Sequence, residues 1–138
     1  MTQLADLYPD CLPLDVQKTV RETLSADPFF AEKGVRIFIQ DDGELLDLIA
    51  RKTLPLEAPL LLVALSEIEG NAPDVTIRFA LVVLEDPITN RAKPDFDTAL
   101  GIAWHATRLL DGDTFHFDRL TCQLNDDGLF QVTADFRY

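Results

Sequence analysis

Residues Asp74–Asp86, with the sequence DVTIRFALVVLED, are the segment around which the rest of the chain is organised. Its odd-numbered positions from Val75 to Val83 are all apolar, which is the two-residue period of a strand with one buried face. The even-numbered positions begin polar, at Thr76 and Arg78, and become apolar further along. The pattern therefore predicts a central strand that starts with one wet face, ends covered on both faces, and has helices packed on its second half.

The size and composition of the chain predict one domain. Its 138 residues are close to the commonest domain size, and a hydrophobic content of 47% is enough to fill one core. We expect a single domain over residues 1–138, in which residues 1–14 form a loosely packed leader.

The charge balance excludes two classes of partner. The chain has 24 acidic and 12 basic residues and a formal net charge of −12. Direct binding to nucleic-acid phosphates or to anionic lipid needs clustered Lys and Arg, so neither is expected.

The longest apolar run, Pro59–Leu65, is far too short to span a membrane. The N-terminus lacks the basic and apolar regions of a signal peptide, so we expect a cytoplasmic protein.

The hydrophobic periods along the chain predict an α+β fold. We expect a mixed, mainly antiparallel sheet of about five strands with helices packed on it, in the order α-β-α-β-β-α-β-β. The predicted helices run from Asp15 to the residues before Pro28, from Asp41 to Leu54, and from Phe96 to Leu110. The predicted strands are Val35–Gln40, Leu60–Ile68, Asp74–Asp86, Thr114–Asn125 and Leu129–Tyr138.

Capping residues support the predicted helix ends. Asp15 and Asp95 are placed as N-caps, and Gly112 is placed as the residue that closes the third helix. Phe29 and Phe30 follow Pro28 at a corner, where we expect them to fill the core rather than to form a binding patch.

The two C-terminal strands form a predicted hairpin around the turn Asn125–Gly128. In the first of them the apolar phase changes from odd positions, at Phe117, to even positions, at Leu120. A bulge near Asp118–Arg119 would account for this change. Cys122 falls in the apolar phase, so we expect it to be a small core residue.

No pattern in the sequence indicates catalysis, a cofactor or a metal. His105 and His116 are the only histidines, and no metal-binding spacing joins them. The aspartates of the predicted turns suit local hydrogen bonding, and nothing selects a catalytic pair among them: Asp111, Asp113, Asp126 and Asp127. We therefore expect no enzyme, and the pattern gives no role to Trp104 or its neighbour His105.

The order of elements resembles the tail terminator, or tail completion, proteins of tailed bacteriophages and prophages. The resemblance covers about Asp15 to Tyr138. It is carried by GVRIFIQ, PLLLVAL, DVTIRFALVVLED, the Asn90–Arg91 loop, a helix that ends in LLDGD, and the closing FHFDRLTCQLNDDGLFQVTADFRY. It implies a structural subunit that forms a homo-oligomeric ring, commonly a hexamer. Such a ring caps the tail tube and gives the head-completion proteins a docking surface, first in the host cytoplasm and then in the virion tail. An acidic ring would also let DNA pass without binding it.

Two other functions stay open from the residues alone. One is a small protein-interaction or immunity-type module without catalysis, and the other is an enzyme that uses turn carboxylates.

A ring needs two different contact surfaces on each subunit. In the loop Asp86–Asp95, Arg91 and Lys93 stand out from an acidic sequence and are the candidate interface residues. Their candidate acidic counterparts are the turn Asn125–Gly128 and the Asp41–Glu44 corner of a neighbour.

Overall fold

The computed structural model describes residues 12–39, 59–71, 74–86, 99–124 and 129–138. The described helices are α1 (Leu12–Ser25), α2 (Pro28–Glu32) and α3 (Ala99–Leu110). The described strands are β1 (Arg36–Ile39), β2 (Leu60–Asn71), β3 (Asp74–Glu85), β4 (His116–Leu124) and β5 (Phe130–Arg137).

The five strands form one mixed sheet in the order β1-β2-β3-β5-β4. β1 is parallel to β2, and the other three pairs of neighbours are antiparallel. The predicted α+β class, with a mainly antiparallel sheet, is confirmed. The strand predicted to be central, β3, is the third of five and pairs with β2 on one side and β5 on the other.

The main core lies between β3 and the helices. Ile77, Phe79, Leu81 and Val83 alternate along β3 and have no exposed surface. The Phe79 ring stacks on Phe136 of β5 with 5.4 Å between ring centroids. On the opposite face a smaller buried cluster of Phe38 and Leu60 packs against Leu62 and Leu84, so the end of β3 has apolar packing on both faces, as predicted.

The first helix begins earlier than its sequence predicts. α1 starts at Leu12, and Asp15 lies within the first turn, where a carboxylate favours the positive end of the helix dipole. The N-cap assigned to Asp15 is therefore wrong. The leader prediction is also wrong for residues 12–14, because these are helical and Leu14 is only 6% exposed.

The corner at Phe29 and Phe30 is a short helix. Asp27 is its N-cap and accepts a 2.9 Å hydrogen bond from the Phe29 amide, and Pro28 occupies the first turn, where its fixed φ suits the helix. Phe30 is buried, as predicted, whereas Phe29 is half-buried.

The third helix ends at Leu110, as predicted, but Gly112 does not close it. The Asp111 amide donates to the Thr107 carbonyl at 2.9 Å, whereas the Gly112 amide donates to Phe115 in the following turn. Among the described glycines a positive φ occurs at Gly34 and Gly70, and not at Gly112. The predicted start at Phe96 and the N-cap Asp95 lie outside the described residues.

The predicted bulge in the last hairpin is confirmed. The β4–β5 register shifts between Phe117 and Arg119, which leaves Asp118 as the extra residue. The prediction for Cys122 is wrong, because Cys122 is exposed. β4 is an edge strand of the described sheet, and among the described helices α3 lies mainly over β3 and β5, so this end of β4 is less covered by α3 than the central strands are.

Three further predictions fall outside the described residues. They are the helix Asp41–Leu54, the turn Asn125–Gly128 and the interface assignment of Arg91 and Lys93.

Candidate functional site

The most unusual surface of the described structure lies along the edge strand β4. Most residues of this strand are exposed, and Leu124 at its end is 63% exposed. Leu120, Cys122 and Leu124 pair with Ala134, Val132 and Phe130 of β5, and therefore point to the helix side of the sheet. These three side chains therefore lie on the same face of the sheet as the core, but towards the end of the edge strand they are exposed to solvent.

The neighbouring side of α3 continues this apolar row. Trp104 is 52% exposed and meets Phe117 of β4 edge-to-face, with 6.5 Å between ring centroids. Leu100 lies one turn before Trp104 on the same side of the helix and is 49% exposed. We name the combined patch the edge surface, and it consists of Leu100, Trp104, Leu120, Cys122, Leu124 and Phe130.

The local sequence explains why these side chains are not in the core. Ile102, Ala103 and Ala106 turn the small and apolar side of α3 onto β3 and β5. Positions 100 and 104 lie away from that side, towards β4, which is the last strand of the sheet. Exposed apolar side chains that form one patch, rather than standing singly, mark contact surfaces.

The opposite face of the sheet carries an ion-pair cluster at the bulge. The Arg137 Nε donates to both carboxylate oxygens of Asp118, at 2.9 and 3.1 Å. Arg78 lies between Asp118 and Glu69, with N–O distances of 3.6 and 3.5 Å. These pairs hold the bulged residue against β3 and β5.

A second pair completes the cluster. The Arg119 Nε donates to Asp135 at 2.8 Å, and this hydrogen bond, with the charge of Asp135, raises the pKa of the Arg119 guanidinium. Asp118, Arg119 and Asp135 line an open depression of about 510 Å³. Its other lining residues are Ser66, Glu67, Glu69, Arg78 and Phe136. The arginines of the cluster each lie within ion-pair distance of a carboxylate, and these pairs tie the bulged part of β4 to β3 and β5.

His105 joins α3 to the α2 corner. Its ring stacks on Phe29 with 4.0 Å between centroids and an angle of 21° between ring planes. It also meets Phe30 edge-to-face at 5.6 Å. Its Nε2 is buried, lies 3.5 Å from the Asp27 carboxylate and makes no hydrogen bond. No local pattern in the sequence predicts this contact, because it depends on the packing of two distant elements.

The other residues considered for chemistry are dispersed. Asp111 accepts a 3.1 Å hydrogen bond from the Phe117 amide and so shapes the turn before β4. Asp113 and His116 are exposed. Asp126 and Asp127 lie outside the described residues, as do Arg91 and Lys93. Within the described ranges, no three His, Cys, Asp or Glu side chains come together in a way that could hold a metal ion.

The edge surface was missed at the sequence level, although part of its signal is visible there. The alternation of Leu120, Cys122 and Leu124 identifies one apolar face of a strand. It cannot show that the strand lies at the edge of the sheet, because strand order depends on pairings between distant segments.

Comparison with protein-family models and with curated proteins finds no match for this chain. In the described part of the chain, no helix has the length and apolar character needed to cross a membrane.

Proposed function

We propose that this chain is a non-catalytic structural subunit of the phage or prophage tail terminator type. In this role, copies of the chain form a ring, commonly a hexamer, that caps the tail tube and presents a docking surface to the head-completion proteins. The subunit would act first in the cytoplasm of the host and then in the virion tail. The α+β fold, with five strands in one mixed sheet, is compatible with the layout on which the resemblance rests.

The edge surface is the observation that carries this proposal. Ring closure needs two different surfaces on each subunit, so that one copy contacts the next head to tail. The edge surface supplies an apolar contact at one end of the sheet, along β4, whose outer side pairs with no strand in the described structure. Arg91 and Lys93 remain the proposed charged residues of the second contact, where they would set the register more than the affinity.

The net charge supports the proposal in a second way. At −12, the chain repels the phosphates of DNA, so a ring of such subunits would surround passing DNA without retaining it.

The test is assembly on purified tail tube, measured by co-sedimentation of the protein with the tubes. Trp104→Asp places a charge in the edge surface, so we expect it to reduce co-sedimentation at least tenfold. Leu109→Asp is the matched control, because Leu109 is 38% exposed and lies on another side of the same helix. Joint charge reversal of Arg91 and Lys93 should also weaken assembly, with little change in the melting temperature.

Two results would count against the proposal. If the wild-type protein ignores the tail tube, the interaction-module function becomes the better account of the edge surface. If Trp104→Asp and Leu109→Asp behave alike, the edge surface is not the contact.

A further inference from the structure

We propose that two copies of this chain join through their β4 strands and form one continuous ten-stranded sheet. The occupant of the free edge is thus β4 of a second copy, antiparallel to the first. This inference goes beyond the proposed function and does not rest on it, because it concerns the free protein without tail tube.

The first step is that half of β4 lacks protection against pairing. Natural edge strands avoid pairing with other chains through bulges and charged side chains. The beginning of β4 has both, since it contains the bulge at Asp118 and the charged Arg119. The second half, Leu120–Leu124, reads LTCQL and has neither a charge nor a bulge.

The second step is that LTCQL is complementary to itself. If two antiparallel copies are centred on Cys122, Leu120 lies opposite Leu124 of the second copy, and Thr121 lies opposite Gln123. Apolar side chains then meet on the helix side of the sheet, and polar side chains meet on the other side. Moving the centre to Thr121 would instead place Leu124 opposite the charged Asp118.

The third step concerns charge. Two copies that each have a net charge of −12 repel each other. The pairing centred on Cys122 uses five uncharged residues from each copy, so no like charges face each other directly in this segment. An uncharged contact is where the repulsion between identical acidic chains is least costly.

The fourth step concerns the helices. The two-fold axis of this pairing is perpendicular to the sheet, so α3 of both copies lies on the same side of the joined sheet. Trp104 and Leu100 then border the seam in both copies, because they lie on the β4 side of α3. The dimer therefore covers the apolar stripe of β4 and brings together the apolar side chains next to it. Any ring contact through the edge surface would require this pair to separate first.

Disulfide cross-linking tests the register directly. Residues directly opposite in an antiparallel pair have Cα atoms about 4.5–5.5 Å apart, which is within the range of a disulfide. In a Cys11→Ser background, mild oxidation should link Cys122 to Cys122 of the second copy. The matched control is Cys11→Ser with Cys122→Ser and Thr19→Cys, which places the thiol on the exposed side of α1, where no link is expected.

A mixing experiment separates this register from chance collisions. Two proteins carry Leu120→Cys or Leu124→Cys, each in a background of Cys11→Ser and Cys122→Ser. The mixture should cross-link, because these positions face each other. Either protein alone should not, since its own thiols lie about 13 Å apart along the strands, from a rise of about 3.3 Å per residue.

Sedimentation velocity supplies the second measurement. The free protein should sediment as a particle of twice the 15.5 kDa chain mass. Cys122→Asp sets two like charges opposite each other and should weaken the dimer at least tenfold, whereas Cys122→Ser should not. Since Cys122 is exposed, neither change should lower the melting temperature by more than a few degrees.

The possible results separate this inference from the proposed function. A free monomer at all concentrations, or a larger particle without the Cys122 link, overturns the inference even if the protein assembles on tail tube. A Cys122-linked dimer that ignores tail tube supports the inference and contradicts the proposed function.

Discussion

Phe79 is the side chain on which the core depends most directly. It is fully buried in the central strand, stacks on Phe136, and meets Phe115 edge-to-face with 5.4 Å between centroids. Its two aromatic neighbours come from β5 and from the turn before β4. Phe79, which the sequence pattern places in the central strand, therefore also joins β3 to β5 and to the turn before β4.

Phe79→Ala should lower the free energy of unfolding by about 3–5 kcal/mol, because it removes a buried ring and leaves a cavity. Urea denaturation measures this change. Phe130→Ala is the control, since Phe130 is 43% exposed and its loss should cost much less. A loss below about 1 kcal/mol for Phe79→Ala would mean that the core is not centred on this ring.

The Asp118–Arg137 pair is the second feature at the scale of single residues. Because both groups are partly exposed, we expect a coupling energy of only about 0.2–1 kcal/mol in a double-mutant cycle of Asp118→Ala and Arg137→Ala. The coupling should fall as salt is raised. A coupling of zero at low salt would show that the pair does not stabilise the bulge.

At the scale of elements, α2 depends on its cap. Asp27 satisfies the Phe29 amide and faces His105, so one side chain joins the corner to α3. Asp27→Ala should cost about 1 kcal/mol through the lost cap. Asp27→Ser retains a capping oxygen and should recover most of that loss in thermal unfolding. If Ala and Ser behave alike, capping is not what Asp27 contributes.

The sequence predicts those elements whose signals are local. The alternation in β3 is visible residue by residue, and the change of phase around Asp118 predicts the bulge. The start of α1 is mispredicted because Asp is a residue type that often caps helices. The helix begins at Leu12, three residues before the predicted cap, so Asp15 lies inside its first turn.

Features that depend on strand order are not predictable in this way. Cys122 has the apolar phase of a core residue, yet it is exposed, because its strand is the last one in the described sheet. The contact of His105 with Phe29 joins elements that are far apart in the chain. Both features are consequences of tertiary packing. The edge surface could not be predicted from the sequence for the same reason.

At the scale of the whole molecule, the net charge of −12 disfavours binding to polyanions such as DNA. The isolated protein should not bind duplex DNA at physiological salt, because it has few cations to displace the counterions of the phosphates. A gel-shift titration tests this prediction. A micromolar, salt-sensitive shift would contradict both the prediction and the idea of a ring that DNA passes freely.

Electron microscopy of tail tubes incubated with the protein tests the ring function most directly. With the wild-type protein and with Leu109→Asp, we expect a ring of added density at one end of the tubes. With Trp104→Asp, we expect bare ends. Tubes whose ends stay bare with the wild-type protein, at concentrations where that protein is folded, would contradict it.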